Sequence, residues 1–228
     1  MKAAVLSDIH GNFPALSAVL NDIHDVDVVF ICGDLVGYYP DANEVCDALR
    51  SLNPTAVWGN HDAFITGKLS FDQNKDKFYK IKYTRDTLTR DNFSWLERLP
   101  REINDEYAGV KIKMRHANPW DDETYLYPDS KKLSDIFLHQ DELLFLGHTH
   151  HPMWVKSGEG WILNPGSVGQ PRDWNPQASY AIFNFIDRKV EFRRVVYNVK
   201  AYQQRLLNMG WESPVVDILS RTKDHQSE

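Results

Sequence analysis

A chain of 228 residues, 42% hydrophobic and 25% charged, holds enough apolar material for one substantial buried core. Its formal net charge of −6 argues against an extended nucleic-acid surface, and no apolar run nears the roughly 18–20 residues needed to cross a bilayer. Cys32 and Cys46 imply no disulfide framework. A carboxylate as early as Asp8 is foreign to a signal peptide, so a cytoplasmic protein is expected.

Lys2 to Ser7 reads as a first strand, and Asp8-Ile9-His10-Gly11-Asn12 as the loop leaving it. Pro14 suits the first turn of a helix, which Leu16, Val19, Leu20 and Ile23 continue at helical spacing. Asp27 to Cys32 is a near-continuous apolar run, the pattern of a parallel strand covered on both faces, and it ends at Gly33-Asp34. A helix over Asn43 to Leu49 and a third strand over Thr55 to Trp58 follow, the latter delivering Gly59-Asn60-His61-Asp62. This β-α-β-α-β opening predicts a parallel sheet with right-handed crossovers.

The pattern changes at about 63–106, a lysine-rich stretch with scattered aromatic residues that reads as a helical excursion near the site mouth. Within it Asp91-Asn92 caps a short helix stopped by Pro100, and Lys75, Lys77, Lys80, Lys82 and Arg85 read as a solvated face, the alternative being contact with phosphates. Val110 to Arg115 alternates as a half-buried strand and delivers His116. A helix through Leu133, Ile136 and Phe137 precedes a buried strand, Glu142 to Leu146, that ends at Gly147-His148-Thr149-His150. Two hairpins follow, Met153–Lys156 with Gly160–Leu163 and Ser179–Ile186 with Lys189–Val196, then a last helix from about Val199 to Met209 and a tail that frays after Arg221. The whole chain, 1–228, reads as a single domain.

Five strand ends therefore carry Asp8 and His10, Asp34, Asn60, His116, and His148 and His150. Carboxylate, amide and imidazole together make a borderline donor set that suits manganese, iron or zinc better than calcium. In each Asp/His-x-His pair the two side chains of an extended segment point the same way. Chance explains one such strand end, not five.

In order and in chemistry these blocks resemble the five-block signature of the calcineurin-like metallophosphoesterases, and Asn164 to Arg172 resembles the tail of the small bacterial phosphodiesterase and dinucleoside tetraphosphatase branch. The resemblance implies an α/β fold whose core is a two-sheet β-sandwich flanked by helices, a four-layer α/β/β/α arrangement with the site at one edge. It implies two divalent metal ions, manganese first, with iron, zinc or nickel as other occupants. Asp8, His10, Asp34 and His150 would hold one and Asp34, Asn60, His116 and His148 the other, with Asp34 bridging. His61 falls on the general acid, with Asp62 beside it to orient the ring. The implied reaction is attack of a metal-bridged hydroxide on a phosphoester.

Departures narrow the substrate. After Asp34 the chain runs Leu35-Val36-Gly37-Tyr38-Tyr39-Pro40 and lacks the Asp and Arg of the protein phosphatase branch, so the expected substrate is a small phosphoester, nucleotides included. Arg172 is the candidate grip on its phosphate, the alternative being an ion pair with Asp173 or another loop acid. Tyr38, with Tyr39, Trp120 and Tyr125, is a candidate to stack on a base or simply to pack the rim. A dinucleoside polyphosphate hydrolase is the narrower alternative. A non-catalytic module on the same fold is the alternative of another class, disfavoured because every ligand and the acid are in place.

Overall fold

The computed structural model describes residues 1–223; the expected fraying of the tail falls, from residue 224 on, outside them. Ten strands alternate with eight α-helices among the described residues: β1 (Lys2–Leu6), α1 (Phe13–Asp22), β2 (Val28–Ile31), α2 (Ala42–Ser51), β3 (Thr55–Ala56), α3 (Asn60–Thr66), α4 (Asp76–Tyr79), α5 (Ile81–Thr87), α6 (Arg90–Arg98), β4 (Glu102–Tyr107), β5 (Val110–Arg115), β6 (Glu142–Phe145), β7 (Pro152–Ser157), β8 (Gly160–Pro165), β9 (Ala178–Asn184), β10 (Lys189–Val195), α7 (Val199–Asn208) and α8 (Ser213–Asp217). They build two mixed five-stranded sheets, ordered β10-β9-β1-β2-β3 and β4-β5-β6-β8-β7.

The expected two-sheet sandwich is present, and its logic is period two. Ala3, Val5, Phe30 and Cys32 of the first sheet meet Val110, Ile112, Met114, Leu143, Phe145 and Leu163 of the second in a shared core. The intervening residues Ala4, Leu6, Val29 and Ile31 face the other way, onto helix residues such as Leu16, Val45, Leu49, Ile65 and Leu96. Across the outer face of the second sheet lie Leu126, Ile136 and Leu138, which cover Leu144, Met153 and Ile162.

That outer cover is where local expectation and structure part. The helix expected through Leu133, Ile136 and Phe137 is only a 3-10 turn, Lys131–Asp135, so the layer here is mostly irregular chain. The helical excursion also ends earlier than 106, because Glu102–Tyr107 pairs antiparallel with Val110–Arg115 as β4. The third strand keeps only Thr55 and Ala56 in register with β2. Helix α6 is capped by the Thr89 hydroxyl, which accepts from the Asn92 N–H, rather than by Asp91 or Asn92. The two expected hairpins form as β7-β8 and β9-β10.

What positions the site is the run of parallel strands. β1, β2 and β3 in one sheet and β5, β6 and β8 in the other all run parallel within their sheets, and the loops that leave them carry the polar residues. The β1 and β2 exits are laced together: the N–H groups of Asp8, Ile9, His10 and Gly11 donate to the carbonyls of Gly33, Asp34, Asp34 and Leu35.

Candidate metal centre

Asp8, His10, Asp34, His116, His148 and His150 are brought together, and these and Asn60 are all buried. Their donor atoms fall into overlapping groups. Asp8, His10 and His150 form one, Asp34, His116 and His148 another, and Asp34 also meets His10 and His61, with donors in each group within 4.8 Å of one another. Asp34 Oδ2 lies 3.2 Å from His116 Nε2 and 3.7 Å from His10 Nε2, between the two groups. Asp8 Oδ1 lies 3.1 Å from His150 Nε2.

The backbone is bent hard to do this. Asp8, His10, Asp34, His148 and His150 all have φ between 54° and 68°, in the left-handed region that non-glycine residues rarely occupy. Each such residue costs on the order of 1–3 kcal/mol, a strain that collects at functional sites. Glycine is required beside them: a Cβ on Gly59 would strike the Asp34 carboxylate and one on Gly147 would strike the Ser7 hydroxyl. The carboxylates are then fixed by backbone donors, Asp34 Oδ1 by the His61 N–H at 2.8 Å and Asp8 by the His148 N–H at 3.0 Å.

Three imidazoles are oriented from behind. His116 Nδ1 is 2.7 Å from the Cys32 carbonyl, His148 Nε2 is 2.9 Å from the Glu123 carbonyl, and His150 Nδ1 is 2.6 Å from the Gln170 carbonyl. A carbonyl can only accept, so each of these nitrogens carries the hydrogen and the other presents its lone pair to the centre. His148 Nδ1 consequently faces His116 Nε2 at 3.3 Å with both lone pairs turned inward, whereas His10, whose tautomer no carbonyl fixes, can donate from Nε2 to His150 Nε2 at 3.0 Å. Two bare lone pairs at 3.3 Å repel; a shared proton or a cation resolves them. Asn60 Oδ1 is buried with no hydrogen-bond partner among the described residues. These donors, converging and under-satisfied, fit divalent cations.

Electrostatics agree. Burial pushes His10 and His150 below the usual histidine range and His148 down to about 4, which leaves them as the neutral imidazoles that ligation needs. For Asp8 and Asp34, burial opposes ionisation, but the neighbouring histidines (His150 and His116 for Asp8, His116 and His61 for Asp34) outweigh it and hold both carboxyls low. Burial also disfavours charge on His116, yet Asp34 and Asp8 together push it up to about 10. The two carboxylates demand positive charge at this spot, and a proton on His116 meets in the protein what a cation meets when bound.

The remaining predicted residues separate. His61 sits beside the cluster, 3% exposed, its ring stacked on Tyr79 at 4.6 Å and tilted against Tyr38 at 4.5 Å. Its Nδ1 has no hydrogen-bond partner among the described residues, and burial takes its pKa to about 4. Asp62 does not orient that ring. Its carboxylate accepts the N–H groups of Leu35, Val36 and Gly59, and so ties the loop after β2 to the start of α3. Arg172 has no ion pair with Asp173, which pairs with Arg194 instead. Its guanidinium donates to Gln170 Oε1 at 2.8 Å and to the Tyr38 hydroxyl at 3.2 Å, and the Tyr38 ring lies 4.8 Å from that of His10. Tyr39 is fully buried and donates to the Val215 carbonyl, and Trp120 lines a separate groove with Glu102 and Lys113, so neither stands at the site. Tyr125 does, stacked on His148 at 4.1 Å. The orienting carbonyls of Cys32, Glu123 and Gln170 left no trace in the sequence, since every residue carries one.

Fold and site together define a metallophosphoesterase. Residues 1–188 match the calcineurin-like phosphoesterase superfamily domain, and the chain belongs to that family. An uncharacterised protein of Methanocaldococcus jannaschii is 41% identical over 90% of this chain and 92% of its own length. A symmetrical bis(5′-nucleosyl)-tetraphosphatase of Proteus mirabilis is 28% identical over 78% of this chain, and the match spans 61% of that enzyme. The crystal structure of a metallophosphoesterase from Sphaerobacter thermophilus superposes with a TM-score of 0.82 at 32% identity, over 97% of this chain and 98% of that one. Among the described residues no helix is long and apolar enough to cross a membrane.

Proposed function

We propose that the chain is a phosphoric ester hydrolase dependent on two divalent metal ions, manganese foremost, acting on small phosphoesters and chiefly as a phosphodiesterase. The observation that carries this reading is the Asp34 carboxylate between two histidine groups. Asp8, His10, Asp34 and His150 would hold one ion, and Asp34, Asn60, His116 and His148 the other. Bound there, divalent cations supply Lewis acidity for phosphoryl transfer to water.

The chain's own residues do the rest. Arg172, kept in place by Gln170 and Tyr38, engages two phosphate oxygens with its planar fork. His61 hands a proton to the departing oxygen. Under Tyr79 its ring is neutral at pH 7, so this role calls for the Tyr79 side chain to shift and let the ring regain water and charge. A narrower reading, hydrolysis of dinucleoside tetraphosphates, draws on the likeness to the Proteus mirabilis enzyme.

The test is release of product from an aryl phosphodiester, an aryl monoester, cyclic nucleotides and dinucleoside polyphosphates. Manganese-dependent hydrolysis of at least one, lost on chelation, is the expected outcome. No hydrolysis across the whole panel with manganese supplied would refute the reading.

A further inference from the structure

Two clefts open beside the buried cluster, and their chemistry differs. One, of about 420 Å³, is lined by Phe64, Leu69, Ser70 and the Asp121–Thr124 turn. Asp122 is neutralised there by Arg101 and Arg115, but Asp121 and Glu123 have no cationic partner among the described residues, so this side repels a phosphate. The other, of about 190 Å³, lies between the Phe78-Tyr79 turn and α8, and its floor is Tyr38, Gln170 and Arg172. Its walls are carbon, from Phe78, Tyr79, Val215 and Ile218.

The second cleft is the positive one. Arg172 lies at the junction between it and the metal ligands with no carboxylate partner among the described residues. Lys75 and Lys77 hold their ammonium groups 6.0 and 4.6 Å from the centroids of Tyr79 and Phe78, two rings that line it, and neither lysine pairs with an acid among the described residues. A guanidinium without an acid, beside aromatic faces and apolar walls, is complementary to an anion that carries a flat ring. The size is restrictive: about 190 Å³ is below the roughly 300 Å³ at which drug-sized sites begin, so one ring system fits and a whole dinucleoside does not. Val215 and Ile218 lie beyond residues 1–188, the part that matches the family domain.

We propose that this cleft is the subsite for the organic group of the phosphoester, and that the group is a flat aromatic or heterocyclic ring, such as the base of a nucleotide. The inference rests on the phosphoesterase reading above. Phosphate oxygens meet Arg172 and would meet the cations held by the donor cluster, while the ring enters between Phe78, Tyr79 and Ile218.

The experiment measures binding of methylphosphonate and naphthylmethylphosphonate, whose C–P bonds resist hydrolysis, to the manganese-loaded full chain by calorimetry. The naphthyl compound should bind about tenfold more tightly or better, and Ile218→Trp, which fills the cleft, or Phe78→Ala, which removes a half-buried wall, should each cut that advantage to about threefold or less. Leu69→Trp, in the acidic cleft, should preserve it. Equal binding of the two phosphonates by the native chain, or loss of the advantage in Leu69→Trp but not in Ile218→Trp, overturns the subsite alone. Failure of both phosphonates to bind sinks the phosphoesterase reading and the subsite with it.

Discussion

Single residues in this protein are held by bonds that separate chemical from structural roles. Asp62 and His61 are neighbours in sequence, yet Asp62 spends its oxygens on three backbone N–H groups while His61 faces the cluster. Burial and the charge of Asp34 push the Asp62 carboxyl up to about 7 against those bonds, so it is a costly group whose removal leaves buried donors unpaired. Asp62→Ala should therefore destabilise by about 3 kcal/mol, or about 6–12 °C for a chain of this size. Thermal unfolding measures this, and an unchanged midpoint with lost activity would restore Asp62 to the chemistry. His61→Ala should do the reverse. It should slow esters of poor leaving groups by about 10²–10⁴-fold and esters of good ones far less, with metal retained. A uniform loss across leaving groups, read from a rate series, would deny it the proton-donor role.

Elements show the same division between what a local pattern says and what tertiary contacts decide. The turn at Asn118–Thr124 presents the Glu123 carbonyl to His148, and it is tied by the Asp121 carboxylate, which accepts from the Glu123 and Thr124 N–H groups and from Asn118 Nδ2. Slight burial resists ionisation, but these bonds hold the Asp121 carboxyl well below the usual range. A carboxyl depressed in the folded state adds stability above its unfolded value near pH 4, and that stability is lost as pH falls through the folded value. Asp121→Asn should flatten the fall in stability below about pH 4, as followed by urea unfolding at a series of acid pH values. Identical pH profiles would dismiss the turn's carboxylate as a support. The strands that carry the ligands were legible because β1, β2 and β6 are apolar and bury both faces. Strand β4 was not: Glu102–Tyr107 is largely polar and exposed, and only its pairing with β5 makes it a strand. Trp58 and the candidate donor Asn60 lie past the two residues of β3 that pair, and Asn60 opens α3. α8 is too short for a periodic signal and is set by Val215 and Val216 packing with Tyr38, Tyr39 and Trp211.

For the whole molecule, a net charge of −6 is compatible with the proposed anionic substrate because charge is arranged locally. Arg172 lines one cleft, with Lys75 and Lys77 over its rings, while Asp121, Asp122 and Glu123 line the other, and surface charges farther off are screened beyond roughly 8 Å at physiological salt. One sheet, built from both ends of the chain, delivers Asp8, His10 and Asp34 and the other delivers His116, His148 and His150, so no half of the sequence carries the centre alone. The six clustered aspartate and histidine donors were readable in the sequence because their residue types and strand-end positions stand out. The closure over them was not, since it depends on where Tyr38, Tyr79 and Tyr125 pack. The most direct measurement is a calorimetric titration of the chelator-stripped chain with manganese, beside the same titration of Asp34→Asn. Saturable uptake of two ions per chain, reduced to one or none in Asp34→Asn, is the predicted result. No saturable binding to the native chain, or two undisturbed ions in Asp34→Asn, would contradict a centre bridged by Asp34.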